Sequence, residues 1–167
     1  MGRKNKNIKG FTLIEIMVVI IIIGILIVIT LPNFVNSVKR AKVSSVKSNM
    51  HTLQTIVETY GADFSGNYPS DLNNLYIEAS AKKYNKLLFN PFNNITGEVN
   101  NSGVCKTYTD VEYNSLNEYT EYTTFEGKTA YYGIKNGNFI QGYAIYGHEE
   151  NGKIILYKDK VLVLSNS

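Results

Sequence analysis

The apolar residues of this chain follow three different patterns in succession. Residues 11–31 are apolar almost without interruption: 17 of these 21 residues are hydrophobic, and a single acid, Glu15, lies among them. As a helix rising about 1.5 Å per residue, this run measures roughly 31 Å, which matches the hydrocarbon core of a bilayer. The first pattern therefore predicts a membrane-spanning helix with a carboxylate near its start.

Beyond Pro32 the apolar residues become periodic. Most recur at three- or four-residue steps, as expected for one stripe of a helix. The stripe consists of Val35, Val38, Val46, Met50, Leu53, Val57 and Tyr60. Polar residues, Asn49 among them, lie between these positions and are assigned to the solvent face. One long helix is thus predicted from about residue 12 to residue 62, ended by Gly61 and the turn-forming residues after it.

The last forty residues follow the third pattern, which is typical of strands. Segments rich in β-branched and aromatic residues predict strands at 129–135, 139–146, 153–157 and 161–164. Asn136-Gly137 and Asn151-Gly152 are hairpin signals between them. An antiparallel meander packed on the second half of the long helix would cover the helix's apolar stripe. The predicted fold class is therefore α+β.

Less regular segments join the long helix to these strands. A short helix is predicted at 71–80, with Ser70 or Asp71 as its cap. Residues 90–103 are turn-rich and are interpreted as a surface loop. Residues 112–126 are acidic and rich in tyrosine and threonine, and they are interpreted as a loop or an edge strand.

The charges of the first ten residues indicate an orientation. Four basic residues and no acid precede the apolar run: Arg3, Lys4, Lys6 and Lys9. Basic flanks stay in the cytoplasm, so we expect the N-terminus inside and the chain beyond about residue 33 outside. The formal net charge is +3, and loss of the four basic residues would leave −1.

The residues at this junction resemble a known processing site. Lys9-Gly10-Phe11-Thr12-Leu13-Ile14-Glu15 is similar to the site of type IV pilins and type II secretion pseudopilins, which carry class III signal peptides. The resemblance covers roughly residues 9–50. It implies that a prepilin peptidase cuts after Gly10, that Phe11 is then N-methylated, and that Glu15 is the assembly residue. It further implies that the helix loosens around Gly24 and Pro32 when subunits pack; the alternative is the ordinary tolerance of glycine and proline in membrane helices.

The residues themselves suggest why an acid is needed there. A carboxylate in an apolar core is heavily penalised unless it is paired. We expect Glu15 to face the charged Phe11 amine of a neighbouring subunit and to act as a register device more than as a source of net stability. Pro32 inside the helix removes one backbone hydrogen bond, so a kink or local loosening is also expected.

These inferences give a domain organisation. Residues 1–10 are a cleaved basic leader, 11–62 form the long helix with 11–31 as its membrane and assembly segment, and 63–167 form an α/β head. The expected partners are copies of the same chain in a helical filament, the membrane, the prepilin peptidase, the platform protein and the assembly ATPase. The precursor is expected as a single-pass protein of the cytoplasmic membrane, and the mature form in an extracellular filament.

Three functions remain open at this point. The first is a structural subunit of a type IV pilus, serving motility, adhesion or aggregation. The second is a pseudopilin of a type II secretion or competence system. The third, of another class, is a membrane-anchored surface or sensor protein that never polymerises.

Other chemistry is poorly supported. Residues 63–167 contain nine basic and twelve acidic residues, so no specific nucleic-acid binding is expected. His51 and His148 are isolated, and no nucleophile or phosphate-binding motif is present, so neither catalysis nor a cofactor is expected. Some pseudopilins bind calcium in a head loop, but the spacing of the candidate oxygens matches no calcium loop, and no metal is predicted; these candidates are Asn90, Asn93, Asn94 and Asp110.

Cysteine usage constrains how the head is stabilised. Cys105 is the single cysteine of the chain, so no disulfide can form within it. Many pilins of diderm bacteria close a C-terminal loop with a disulfide, and this chain departs from that pattern. We expect Cys105 to be a small buried residue, and packing alone to hold the head together.

Overall fold

The computed structural model describes residues 10–116, 123–158 and 160–166. The chain divides into two compact units, the first ending at Lys39 and the second comprising residues 40–167. Helix α1, Leu13–Asp63, runs through the boundary between them. Helices and a β-sheet are combined in the second unit, so the α+β prediction is confirmed.

The first unit consists of the apolar half of α1. Its large apolar side chains between Leu13 and Val38 are all exposed, by 39% to 84%. The helix continues through Pro32, and two turns earlier Gly24 has open space where a Cβ would lie. Nearby, the Thr30 hydroxyl donates to the Leu26 carbonyl at 2.9 Å. The expected kink at Pro32 stays a prediction.

The C-terminus of α1 is closed by a backbone motif. Ser65 and Gly66 adopt φ angles of 55° and 86°, and the Gly66 N–H donates to the Gly61 carbonyl at 2.8 Å. This six-residue closure with a left-handed residue is the Schellman arrangement, which satisfies a terminal helix carbonyl. The helix therefore ends two residues after Gly61, one residue beyond the predicted boundary.

A four-stranded sheet forms the other half of the second unit. Its strands lie in the order β3 (Cys105–Thr107), β4 (Thr129–Asn136), β5 (Phe139–Gly147) and β8 (Val163–Ser165). Strands β4 and β5 form an antiparallel hairpin in which Asn136 pairs with Phe139, as the Asn-Gly signal predicts. Strand β3 pairs with β4 in parallel, so the expectation of a purely antiparallel sheet is wrong.

Shorter elements complete the second unit. Helix α2, Leu72–Ala81, is capped by Asp71, whose carboxylate accepts from Asn73 N and Asn74 N. A small hairpin joins β1 (Leu88–Asn90) to β2 (Ile95–Gly97), and α3 spans Asp110–Asn114. The remaining strands are β6 (Leu156–Tyr157) and β7 (Lys160–Val161), which pair with each other.

Three local predictions need correction. The segment 153–157 is not a strand of the main sheet: Ile154 forms an isolated bridge with His148 after a 3-10 turn over Glu150–Gly152, and β6 pairs elsewhere. Residues 90–103 are not simply a surface loop, since Asn90, Val99 and buried neighbours anchor them in the core. In 112–126, the described residues form the end of α3 and a 3-10 turn, and residues 117–122 lie outside the described part of the chain.

The core lies where the second half of α1 meets the sheet. Met50, Leu53 and Val57 pack with the buried sheet residues Tyr131 and Ile145. The predicted stripe is confirmed from Val46 onward, whereas Val35 and Val38 are exposed in the first unit. The assignment of Asn49 to the solvent face is wrong: it is 7% exposed, and its amide donates to the Phe89 carbonyl at 2.8 Å.

Gly147 at the end of β5 permits this close contact. A Cβ at Gly147 would lie 2.7 Å from Met50 Sδ, 2.9 Å from Ile155 Cδ1 and 3.0 Å from Val46 Cγ1. We expect Gly147→Ala to lower the free energy of unfolding by about 1–3 kcal/mol, because overpacking displaces several core side chains. The measurement is urea unfolding followed by near-UV circular dichroism.

A glycine on the same strand provides the control for Gly147. At Gly142 the atoms nearest to an added Cβ would lie at ordinary contact distances of 3.4–3.5 Å. Gly142→Ala should therefore destabilise the protein less than Gly147→Ala. Equal effects from the two substitutions would contradict the assignment of tight packing to Gly147.

Cys105 is fully buried on β3, which confirms the expectation for this residue. Burial raises the pKa of its thiol to about 12, an effect that the nearby Lys128 charge opposes. Since the thiolate is the reactive form, alkylation at pH 8 should be at least about 100-fold slower than in urea-unfolded protein. The control is a Cys105→Ala/Ser48→Cys double variant, whose single thiol lies at an exposed position of α1. This thiol should be alkylated rapidly without urea. If it is alkylated as slowly as Cys105 in the folded wild type, burial does not explain the slow reaction.

Candidate functional site

The segment that resembles a processing site lies immediately before α1. Gly10 and Phe11 have no regular secondary structure, and both are exposed, Phe11 by 79%. A Cβ at Gly10 would meet no atom within 4 Å. Packing among the described residues therefore places no demand for glycine at this position, and the Gly10–Phe11 peptide bond joins two exposed residues.

Thr12 and Glu15 close the N-terminus of α1 together. The Glu15 carboxylate accepts from the Thr12 N–H at 2.8 Å and from the Thr12 hydroxyl at 2.7 Å. The Glu15 N–H in turn donates to Thr12 Oγ1 at 3.4 Å. This reciprocal pairing of N-cap and N3 residues is a capping box, and it satisfies N–H groups that a helix leaves unpaired at its start.

Sequence reasoning missed Thr12, although a signal for it is present. The spacing Thr-x-x-Glu before an apolar run is the usual signature of a capping box. The same spacing recurs at Thr109 and Glu112, where the Thr109 N–H donates to the Glu112 carboxylate at 2.7 Å at the start of α3. The chain thus has a capping box at the start of both α1 and α3. Only the capping box of α1 lies in an apolar segment.

Glu15 lies on an apolar surface together with Phe11. A shallow depression on the first unit is bordered by these two residues and by Ile14, Val18 and Val19. All four apolar neighbours are at least 47% exposed. The structure therefore places Phe11 and Glu15 on one patch, in which Glu15 is the acidic group.

Gly24 and Pro32 are not part of that patch. At about 1.5 Å per residue they lie roughly 14 Å and 26 Å along the helix from Glu15. Gly24 lies within the apolar run and Pro32 directly follows it, in a part of α1 whose large apolar side chains are exposed. Any role for them is separate from the chemistry at Phe11 and Glu15.

Three of the four residues considered for calcium, namely Asn90, Asn93 and Asp110, accept hydrogen bonds within the second unit. Asn90 is fully buried: its amide donates to the Gly103 and Glu126 carbonyls, and its Oδ1 accepts from Phe92 N. Asn93 Oδ1 accepts from Ile95 N, and Asp110 accepts from the Tyr132 hydroxyl. Within the described ranges, no three His, Cys, Asp or Glu side chains come together as metal ligands.

The apolar half of α1 meets the length and composition requirements of a membrane span. Among the described residues, α1 alone qualifies, and its most apolar 18-residue window has a mean hydropathy of 3.2 with no buried residue. An apolar surface of this extent needs lipid or other protein around it. The site is therefore a capped carboxylate at the start of a helical segment whose large apolar side chains, from Leu13 to Val38, are exposed among the described residues.

Comparison with known proteins places this segment in a family context. A family model for the prokaryotic N-terminal methylation motif matches residues 5–31. The type IV major pilin protein PilA of Myxococcus xanthus is 43% identical over 60 residues, and the type IV major fimbrial protein FimA of Dichelobacter nodosus is 49% identical over 51 residues. The type II secretion system core protein G of Pseudomonas aeruginosa is 39% identical over 83 residues.

These similarities are partial. They cover 36%, 30% and 50% of this chain, and 27%, 33% and 55% of the three relatives, respectively. No solved structure matches the chain significantly. The chain carries the prokaryotic N-terminal methylation motif at residues 5–31, and its similarity over at most half its length is to type IV pilins and to core protein G of type II secretion.

Proposed function

We propose that this protein is a structural subunit of a type IV pilus-like filament. The observation that carries the proposal is the combination of a methylation motif with an apolar helical segment whose large side chains are all exposed and which bears one carboxylate, Glu15. Lipid accommodates such a helix in the precursor, and copies of the same helix replace the lipid in the filament.

Leader removal is the step that makes this exchange possible. The uncut chain begins with ten residues that include four positive charges, and a filament core of apolar helices would have to bury them. Cleavage after Gly10 removes these charges and leaves one amine on Phe11. A methylated amine keeps its positive charge, so the core then contains one cation and one anion per subunit instead of an unpaired excess.

Glu15 selects the correct axial position in this proposal. In the isolated subunit its carboxylate is held by Thr12. In the filament it additionally approaches the Phe11 amine of a neighbouring helix. A subunit out of register leaves the charge unpaired in an apolar environment, which is strongly unfavourable.

A pseudopilin of a secretion system is the second candidate. The match to core protein G covers 83 residues of this chain, whereas α1 ends at Asp63. That similarity must therefore include residues beyond α1, while the pilin matches of 51 and 60 residues need not. This longer similarity is the observation that supports a pseudopilus as the second candidate.

Localisation and partners follow from either proposal. The precursor is a single-pass protein of the cytoplasmic membrane with its basic end inside, and the mature subunit belongs to a filament outside that membrane. Its partners are a prepilin peptidase, a platform protein, an assembly ATPase and further copies of the chain. A non-polymerising surface protein remains the alternative of a different class.

The decisive experiment is N-terminal sequencing of the protein recovered from sheared and pelleted cell-surface material. The proposal requires a product that begins at Phe11 with a methylated amine. Recovery of fibres whose subunits still begin at Met1 would overturn it. Cleaved protein that stays entirely with the cell envelope after shearing would favour the pseudopilin. Uncleaved protein that stays with the cell envelope would favour the non-polymerising anchor.

A further inference from the structure

A polar cleft opens in the second unit beside the end of α1. Its volume is about 410 Å3, within the range of small-molecule sites, which run from roughly 300 to 1,000 Å3. Small-molecule sites are mostly apolar, but amides, hydroxyls and an ammonium group dominate this lining. The side chains that carry the argument are Tyr60, Asn67, Asn74, Lys135, Asn138 and Ile140.

Backbone hydrogen bonds fix the walls of the cleft. Asn67 Oδ1 accepts from the Ile140 N–H at 2.9 Å, and the Tyr68 N–H donates to the Ile140 carbonyl at 2.8 Å. These two bonds join the segment after α1 to strand β5. The two-residue turn of the β4–β5 hairpin, with Gly137 at φ 63°, then brings Lys135 and Asn138 to the same cleft.

Several polar atoms in the cleft make no hydrogen bond to any other described residue. Among the described residues, Asn67 uses its oxygen but not its amide nitrogen, and Asn74 uses its nitrogen, which donates to Ser70 Oγ at 2.6 Å, but not its oxygen. Within the described part of the chain, the side chains of Lys135 and Asn138 and the hydroxyl of Tyr60 make no hydrogen bond. The cleft thus presents both donors and acceptors that need a ligand or water.

We propose that this cleft binds a neutral sugar unit, a hexose or N-acetylhexosamine residue. Each sugar hydroxyl donates and accepts, which matches a lining of amide nitrogens, amide oxygens and a phenol. The Tyr60 ring stacks on Phe64 with centroids 4.3 Å apart, so its position is fixed, and it belongs to the lining of the cleft, where an aromatic ring can contact the C–H face of a sugar.

The charges around the cleft favour a neutral ligand over an anion. Burial raises the pKa of the Tyr60 hydroxyl, Glu78 and Asp71 raise it further, and Lys82 opposes them. Acidic groups thus lie close to the Tyr60 end of the cleft, while Lys135 lines it elsewhere. Because these opposite charges offset each other, an anionic sugar gains nothing that a neutral one lacks.

The test is ligand binding by the full chain in a detergent without a sugar headgroup. The probes are the methyl glycosides of glucose, galactose and N-acetylglucosamine, with methyl glucuronide as the anionic comparison, followed by saturation-transfer NMR and titration. We expect at least one neutral glycoside to bind with a dissociation constant on the order of 1 mM. Repetition of the site along a filament would raise this weak affinity through multivalency.

Matched variants locate the binding. Lys135→Ala and Asn138→Ala should each weaken binding about fivefold, which is the effect of one lost hydrogen bond. Asn73→Ala and Lys86→Ala alter exposed residues outside the cleft and should leave binding unchanged. The proposal is overturned when no neutral glycoside binds, when only the glucuronide binds, or when the cleft variants bind like the wild type. None of these results depends on filament formation.

Discussion

Glu15→Ala is expected to leave membrane insertion intact and to abolish or strongly reduce incorporation into filaments. Insertion depends on the apolar run of 11–31, which loses an acid and so becomes more apolar. Incorporation in the proposed mechanism depends on a carboxylate that faces the Phe11 amine of a neighbour. The amount of subunit in sheared and pelleted filaments measures incorporation, and the amount of processed subunit in the membrane measures insertion.

A second substitution separates the charge of Glu15 from its role in the capping box. Glutamine at the third helical position also completes a capping box, so Glu15→Gln keeps the bond to Thr12 and removes only the charge. We expect Glu15→Gln to fail in assembly like Glu15→Ala. Thr12→Ala retains the carboxylate and the backbone N–H that donates to it, so it should impair assembly less.

The second capping box is the matched control. Glu112→Gln makes the same chemical change at the start of α3, where the carboxylate is bound by Thr109 in the same way. Filament yield should be unaffected by this variant. Normal filaments from Glu15→Gln would show that capping alone explains the acid and would remove the pairing argument.

The long helix was predictable because its pattern is long and regular. The three- to four-residue spacing from Val46 to Tyr60 extends over four turns, and the predicted range of 12–62 differs by one residue at each end from Leu13–Asp63. The turn-forming residues after Gly61 end the helix, as predicted, but Gly61 itself is helical. Its carbonyl accepts the closing bond from the Gly66 N–H, and Ser65 and Gly66 adopt left-handed φ angles.

The topology of the sheet was less predictable for a physical reason. Strand β3 has three residues, too few to reveal an alternation, and it follows a turn-rich segment. Its parallel pairing with β4 requires a crossover connection, and parallel strands generally need a dozen or more residues between them. That connection begins with α3, whose five residues are too short to show a helical period.

The candidate functional residues, like the fold, were only partly predictable from the sequence. Gly10, Phe11 and Glu15 lie within six residues of one another in the sequence, so their spacing could be recognised. The structure places Phe11 and Glu15 on one surface patch. The sugar cleft could not be predicted, because its lining comes from four segments that only the folded sheet and helices bring together. The reciprocal bonding of Thr12 was within reach of sequence reasoning and was missed.

His148 is the group whose titration should most affect the stability of the second unit. The residue is fully buried, with Nε2 2.7 Å from the Tyr108 hydroxyl and Nδ1 3.3 Å from the Lys128 carbonyl. A carbonyl only accepts, so Nδ1 carries the proton and Nε2 accepts from Tyr108. The neutral ring thus has both nitrogens satisfied, and it stacks on Phe125 with centroids 5.0 Å apart.

Protonation of this ring is unfavourable in the folded state. Burial lowers the pKa of His148 to about 4, against the effect of the Lys128 carbonyl, whereas an exposed histidine has a pKa of about 6.5. Lys106, 4.6 Å from the centroid of the adjacent Phe125 ring, adds a positive charge nearby. Between these two pKa values the unfolded chain therefore binds a proton that the folded chain does not.

Stability should consequently be full above pH 6.5 and fall as the pH decreases from 6.5 toward 4. Linkage over this interval corresponds to a loss on the order of 3 kcal/mol in the free energy of unfolding. Urea unfolding of the full chain in detergent, followed by near-UV circular dichroism, measures it. All thirteen tyrosines lie between residues 60 and 157, so the signal reports on the second unit.

Two histidine variants assign the effect. His148→Gln removes the titrating group, so its unfolding free energy should change much less between pH 7 and pH 5 than that of the wild type, whatever its absolute stability. His51→Gln removes the exposed histidine of α1 and should retain the wild-type slope. An unchanged slope in His148→Gln would mean that other groups, and not the buried ring, cause the acid sensitivity. Tyr108→Phe removes the donor to Nε2 and, because the ring then lacks one partner when neutral, should reduce stability most at pH 7.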